Sequence, residues 1–332
     1  MSGCATLGWY GQAARGQLDI LSKREDIAQL LADPATDPVL AERLALALKI
    51  RAFAVAELGL PDSRSYTRYA DLGRDAAVWN VVATPEFDMT PNTWCYPLVG
   101  CLAYRGFFDP DRARALAEAL TADGFDAAVF PVSAYSTLGW FADPVLNTML
   151  RRDDAGLAAL IFHELAHEKL FVRGDTEFSE GYAVAVERVG AERWLRKRGD
   201  QAALARWRND QARQARFTAL LLDAREALIE VYAAERSVEW METERATVFA
   251  ELREAVGALD EDTGEQRYRR WAERDLNNAH LALVATYEAE VAGFLRLLDA
   301  CHGNMTCFHE RSAALAQADP ATRRKVLRDT AQ

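Results

Sequence analysis

The sequence predicts an α+β chain, predominantly helical, with a small and mainly antiparallel sheet packed on a pair of apolar helices. Residues 76–140 are rich in valine, aromatics and Gly/Pro breaks, in the runs AAVWNVVATPEF, TWCYPLVGCLAYRGFF and DAAVFPVSAYSTLGW, which read as strands. Residues 153–198 read as two apolar helices joined by a short linker containing Gly174. After Gly190 the chain is almost wholly helical, with Arg and Glu interleaved from Glu192 to Arg274 on what the pattern makes a solvated face.

Taken in order, residues 7–33 carry a helical apolar pattern at Leu18, Leu21, Leu30 and Leu31, broken by Asp33-Pro34 and Asp37-Pro38. A second helix, Val39 to Leu58, ends at Gly59 before Pro61. Residues 7–60 are therefore expected to form a helical hairpin across a body formed by 61–332, with the sheet at 76–140, paired helices at 153–198 and further helices at 200–332. Asp111 to Ala122 is expected as a helix capped near Asp109-Pro110. Gly264 is a candidate break between two long C-terminal helices. Asn277 and Asn278 are weak helix formers inside a helical pattern, so a substrate-binding role is a candidate reason for their presence.

The chemistry concentrates in Leu157–Glu187, LAALIFHELAHEKLFVRGDTEFSEGYAVAVE. His163 and His167 are four residues apart, so on a helix both imidazoles leave one face and can grip one ion. Glu164 is turned by about a hundred degrees, where its carboxylate can act as a general base. Asp153 and Asp154 offer an N-terminal cap, and Gly174 ends the element. Catalytic zinc takes three protein ligands, and Glu180, early in the second helix, is the best placed third donor, with Glu187 or an unidentified residue as alternatives. Glu187 lies two turns beyond Glu180, where it could accept a ring N–H from a ligand histidine. A lone H-E-x-x-H also arises by chance on surface helices, but here it holds two of the chain's five histidines in an apolar helix.

The pairing of HELAH with SEGYAVAVE resembles the gluzincin zinc peptidases, in particular the large aminopeptidases whose asparagine-glutamate-glycine triplet supplies the third ligand. The resemblance puts Glu180 in the ligand role and Glu187 behind a histidine. The linker is shorter here, and Ser179 stands where asparagine is usual. Over nearly the whole chain the sequence is more similar to a family of predicted bacterial aminopeptidases, through GCATLGWYGQAARGQLDIL, YADLGRDAAVWNVVATPEF, CYPLVGCLAYRGFFD, AYSTLGWFADPVLNTML, HELAHEKLFVRGDTEFSEGYAVAVE and NNAHLALVATY. That resemblance implies one zinc ion, peptide substrates and a lipid-anchored envelope protein facing the periplasm. It also implies a sheet edge beside the cleft, for which Ala134 to Trp140, with Tyr135, Ser136 and Thr137, is the candidate. Tyr287 is the candidate hydroxyl donor to an oxyanion, with Tyr232, Tyr268 and Tyr135 as rivals. An endopeptidase, or a tethered binding or assembly protein with a dormant peptidase fold, are the alternative functions.

At 332 residues and a net charge of -11 the chain can bury a large core and is a poor partner for nucleic acid. No stretch approaches the roughly 20 apolar residues that cross a bilayer. Met1-Ser2-Gly3-Cys4 has the small residues before a cysteine of a processed lipoprotein end, which makes Cys4 a candidate for lipidation. Cys301 and Cys307 flank a segment able to turn and are expected as a disulfide, with a second metal site formed with His302 and His309 as the lesser reading. Cys95 and Cys101 lie in a strand-like run, which would separate them beyond bonding reach unless Pro97 or Gly100 bends the chain, so buried thiols are expected.

Overall fold

Aspartates start six of the described helices. Asp26, Asp37, Asp109, Asp153, Asp175 and Asp200 each accept a hydrogen bond from a backbone N–H of the first turn, an interaction worth about 1 kcal/mol. A computed structural model describes residues 2–96, 100–137, 141–260, 266–284 and 290–328, with the backbone alone for residues 2–7. In chain order the elements are α1 (Ser2–Ser22), β1 (Glu25–Asp26), α2 (Ile27–Ala32), α3 (Pro38–Leu58), β2 (Arg68–Ala70), β3 (Val78–Pro85), β4 (Trp94–Tyr96), β5 (Gly100–Leu102), β6 (Arg105–Phe107), α4 (Pro110–Ala122), β7 (Phe125–Val132) and β8 (Val145–Leu146). They continue through α5 (Asp154–Lys169), α6 (Thr176–Arg198), α7 (Gln201–Ala233), α8 (Val238–Gly257), α9 (Arg267–Ala272), α10 (Ala279–Ala282), α11 (Val291–Ala300), α12 (Met305–Ala316) and α13 (Pro320–Arg328). Helices predominate and strand pairing is mainly antiparallel, so the fold is α+β as the sequence predicts.

The pairing departs from a single sheet. Strands β6, β3 and β7 form one antiparallel sheet in that order, with Val78 opposite Val132 and Trp79 opposite Phe107. Strands β1, β2 and β8 form a second, in which β2 and β8 run parallel, and β4 with β5 makes a separate hairpin. Residues 7–33 are not one helix. The side chain of Asp26 accepts from Ala28 and Gln29, starting α2 afresh after the two residues of β1. The run containing Cys95 and Cys101 is likewise not one strand. Gly100, at φ 85°, helps turn it into a hairpin in which the two cysteines face each other and are bonded as a disulfide. Cys301 and Cys307 form a second disulfide around the left-handed residues His302 and Gly303. That occupies the thiols a second metal site would need.

One apolar core joins the first helices to the body. It contains Leu44, Ile50 and Phe53 of α3, Tyr69 of β2, Leu157, Ile161 and Phe162 of α5, Tyr182 and Val186 of α6, Phe294 of α11 and Phe308 of α12. The hairpin expected at 7–60 is thus part of the same core as the paired helices. A second cluster holds Leu221 and Leu228 of α7, Phe249 and Leu252 of α8 and Tyr268 of α9. Gly264 lies outside the described residues.

Candidate metal centre

α5 and α6 are antiparallel neighbours joined by a six-residue connection, residues 170–175, that the sequence specifies closely. Asp153 caps α5 through Gly156 N at 2.7 Å, and the helix ends at Leu170, earlier than Gly174, because Leu170 turns extended. Gly174 then adopts φ 79°, and Asp175 caps α6 through Phe178 N. Ser179 is fully buried and serves this turn: its hydroxyl accepts from Val172 N at 3.0 Å and donates to Asp175 O at 3.0 Å. Arg323 of α13 clamps the carboxylate of Asp175 from outside at 2.7 Å.

This geometry brings His163, His167 and Glu180 together. His163 Nε2 lies 3.1 Å from His167 Nε2 and 3.4 Å from Glu180 Oε2, and His167 Nε2 lies 3.6 Å from Glu180 Oε1. A tetrahedral ion with bonds of roughly 2.0–2.2 Å spaces its ligand atoms about 3.3–3.6 Å apart, so the three donors fit one. His163 Nδ1 donates to Glu187 Oε2 at 2.9 Å, which leaves Nε2 as the atom that faces the cluster. Burial pulls His163 toward the neutral form, but hydrogen bonds donated to the carboxylates of Glu180 and Glu187 outweigh it and raise its pKa well above the imidazole range. Glu180 is raised by burial and lowered far more by the two histidines. The cluster is therefore short of positive charge, a demand that a divalent cation meets directly. His167 Nδ1 is buried with no hydrogen-bond partner among the described residues.

Glu164 is pushed up by burial, against the opposing pull of His163 and His167, and its carboxylate accepts a hydrogen bond from Ser136. Ser136 and Thr137 are fixed by Asp143, whose carboxylate accepts from Thr137 N at 2.8 Å and Thr137 Oγ1 at 2.7 Å. Burial raises Asp143 to about 6, with the charges of Glu164 and Glu168 adding to it. The stretch proposed as a cleft-side strand is instead irregular at Ala134–Thr137, because Thr137 turns back on Asp143; Leu138, Gly139 and Trp140 lie outside the described residues. Tyr135 packs edge-on to Phe108.

Other candidates stand elsewhere. Asn277 Nδ2 donates to Ala127 O at 3.1 Å, while Asn278 is fully buried, donates to Glu86 O at 2.9 Å and accepts from Tyr232 at 2.9 Å. Their polar groups tie α10 to β3 and β7 instead of facing a substrate. Tyr268 belongs to the second apolar cluster. Tyr287 lies outside the described residues, as does the side chain of Cys4. Two tyrosines that the motif reading passed over are raised in pKa by burial first and then by carboxylate charges that include Glu164. Tyr66 is 2% exposed with a backbone φ of 61°, and Tyr104 opens β6 from the turn after β5. Only the resemblance of CYPLVGCLAYRGFFD could have drawn attention to Tyr104.

A helix-rich α+β body carries, on one helix pair, two histidines and a glutamate that could hold a metal ion, with a second carboxylate beside them. A family model described as "Putative aminopeptidase" matches residues 8–327, and the chain belongs to that family. No curated protein and no solved structure matches it. No helix among the described residues is long and apolar enough to cross a membrane.

Proposed function

We propose that the chain is a zinc-dependent aminopeptidase that releases N-terminal residues from peptides. The observation that carries this reading is the spacing of His163 Nε2, His167 Nε2 and Glu180 beside the buried Glu164. Two imidazoles and a carboxylate suit zinc better than calcium or magnesium, which prefer oxygen donors. Bound there, zinc would supply Lewis acidity at the scissile carbonyl and lower the pKa of a water molecule.

Glu164 takes the proton of the attacking water and delivers it to the leaving amine, as base and then acid. Its raised pKa suits both halves of that exchange. Ser136 orients the carboxylate, and Glu187 orients His163. Asp143 and Glu168 make the flank of Glu164 anionic, which suits a substrate with a free α-ammonium and supports the exopeptidase reading over an envelope endopeptidase.

The proposal extends to location: an envelope protein facing the periplasm, held by lipid on Cys4. The two disulfides support an oxidising compartment. Metal analysis by mass spectrometry, with hydrolysis of a free against an N-acetylated peptide library, tests the activity. One zinc per chain and cleavage confined to free N-termini are expected. Equal cleavage of acetylated peptides would turn the reading to an endopeptidase, and absence of metal to a tethered binding or assembly protein.

A further inference from the structure

Two of the three donors of the candidate centre are spaced by their own helix, and the third is not. His163 and His167 leave α5 four residues apart, so one element fixes both. Glu180 comes from α6, and its reach to them depends on how residues 170–175 turn the chain. No regular structure holds that connection, in which Leu170 is extended and Gly174 sits at φ 79°.

A series of side-chain bonds holds it instead, and the series ends in the last helix. Ser179, the residue before Glu180, accepts from Val172 N at 3.0 Å and donates to Asp175 O at 3.0 Å, which ties the connection to the first turn of α6. Asp175 divides its carboxylate. Oδ1 accepts from Phe178 N at 3.2 Å within the helix, while Oδ2 accepts from Arg323 Nε at 2.8 Å and lies 2.7 Å from Arg323 Nη2.

Arg323 is itself held fast. It is 7% exposed, donates through Nη1 to Ala316 O at 3.2 Å and Ala318 O at 2.6 Å, and sets its guanidinium 5.7 Å from the centre of the Phe178 ring. Its helix, α13, lies so close to α11 that a Cβ on Gly293 would come within 2.2 Å of Leu327 O. Desolvation of both charges offsets most of the attraction in a buried pair such as Arg323 with Asp175, so what the fork adds beyond stability is direction. The other tie of α13 to α6, Arg328 to Glu177, joins exposed side chains and does not touch the connection.

We propose that Arg323 is a positioning residue of the metal centre. Acting through Asp175 and Ser179, it sets the first turn of α6 so that the Glu180 carboxylate meets His163 and His167, and the C-terminal helix is thereby part of the centre. The inference rests on the metallopeptidase reading.

Zinc affinity of the folded chain, read by competition with a chelator, tests it, together with the visible spectrum of the cobalt(II)-substituted protein, which follows ligand geometry. Arg323→Gln breaks the pair from one side, and Asp175→Asn breaks it from the other while keeping the helix cap. Each should bind zinc about 10-fold more weakly and alter the cobalt spectrum, at the lower end of the 10–100-fold usual for groups behind a ligand. Ser179→Ala, the next link, should do the same. Arg328→Gln should lower Tm and leave affinity and spectrum at wild-type values. Wild-type affinity and spectrum in whichever of Arg323→Gln and Asp175→Asn folds would reduce the pair to a stabilising contact and overturn this inference alone. So would an equal loss of zinc affinity in Arg328→Gln. A wild type that takes up neither zinc nor cobalt would overturn the metallopeptidase reading as well.

Discussion

At the scale of single residues, the proposed function gives two acidic side chains, Glu164 and Glu187, different duties, and substitution separates them. Among the described residues the Nε2 atoms of His163 and His167 pair with each other and with Glu180, with no bond to Glu164, so Glu164→Gln should keep one zinc per chain while kcat falls by about 10²–10⁴. Full turnover in that variant would remove Glu164 from the role of base. Glu187 holds His163 Nδ1 at 2.9 Å, and its loss should leave chemistry possible but weaken metal affinity about 10–100-fold. Competition with a chelator reads that number, and an unchanged affinity would show that His163 needs no orienting partner. The motif residues were legible in the sequence because a four-residue spacing on a helix has only one geometric consequence. Asp143 was not, since it reaches Ser136 and Thr137 from a loop whose path depends on tertiary contacts.

At the scale of elements, the helix pair works only because α6 can lie close to α5. A Cβ on Gly190 would come within 2.7 Å of Phe162 Cδ2 on α5 and 2.8 Å of Leu58 Cδ1 on α3. Gly190 is one turn beyond Glu187, so a bulkier residue there pushes outward the segment that carries both glutamates. Gly190→Val should cost about 1–3 kcal/mol through overpacking and lower zinc affinity with it. A thermal melt with a parallel metal titration checks the coupling, and a loss of stability with intact affinity would show that α6 bends without moving its first turns. The aspartate caps let the starts of these helices be read from sequence almost to the residue. The strands were harder. Two- and three-residue strands such as β1, β2 and β8 carry no periodicity, and the β4–β5 hairpin hid in an apolar run because its turn chemistry outweighed the continuous strand-like pattern. Asn277 and Asn278 were correctly singled out as misfits in a helix, but the reason is the backbone of β3 and β7 that they satisfy.

Over the whole molecule, buried titratable groups other than the three cluster residues pull in opposite directions, and their balance sets the response to acid. His309 joins three helices: its Nε2 donates to Leu58 O of α3 at 2.7 Å, and its Nδ1 accepts from Tyr182 of α6 at 2.7 Å. Both nitrogens are used by the neutral ring, and burial lowers its pKa to about 4; burial lowers His280 of α10 to about 4 in the same way. As pH falls through about 6.5 the unfolded chain takes up these protons first, so this stability is full above 6.5 and lost on the way to 4. Glu290 and Asp143 have the opposite sign. Burial raises them to about 7 and about 6, so the folded chain takes up their protons first, and this stability is present at low pH and lost as pH rises. Each group contributes about 3 kcal/mol, so the two pairs nearly cancel, and the zinc-loaded protein should lose little stability between pH 7 and 5. Variants should expose the hidden terms. His309→Gln should be destabilised at pH 7.5 by more than at pH 4.5, with the gap shrinking by about 2–3 kcal/mol. Glu290→Gln should instead gain over wild type at pH 7.5 and match it at pH 4.5. Chemical denaturation of the three proteins at both values decides the matter: a His309→Gln deficit that does not shrink in acid would mean that the ring is charged in the folded chain, which its contact with the Tyr182 hydroxyl and the Leu58 carbonyl could then not explain.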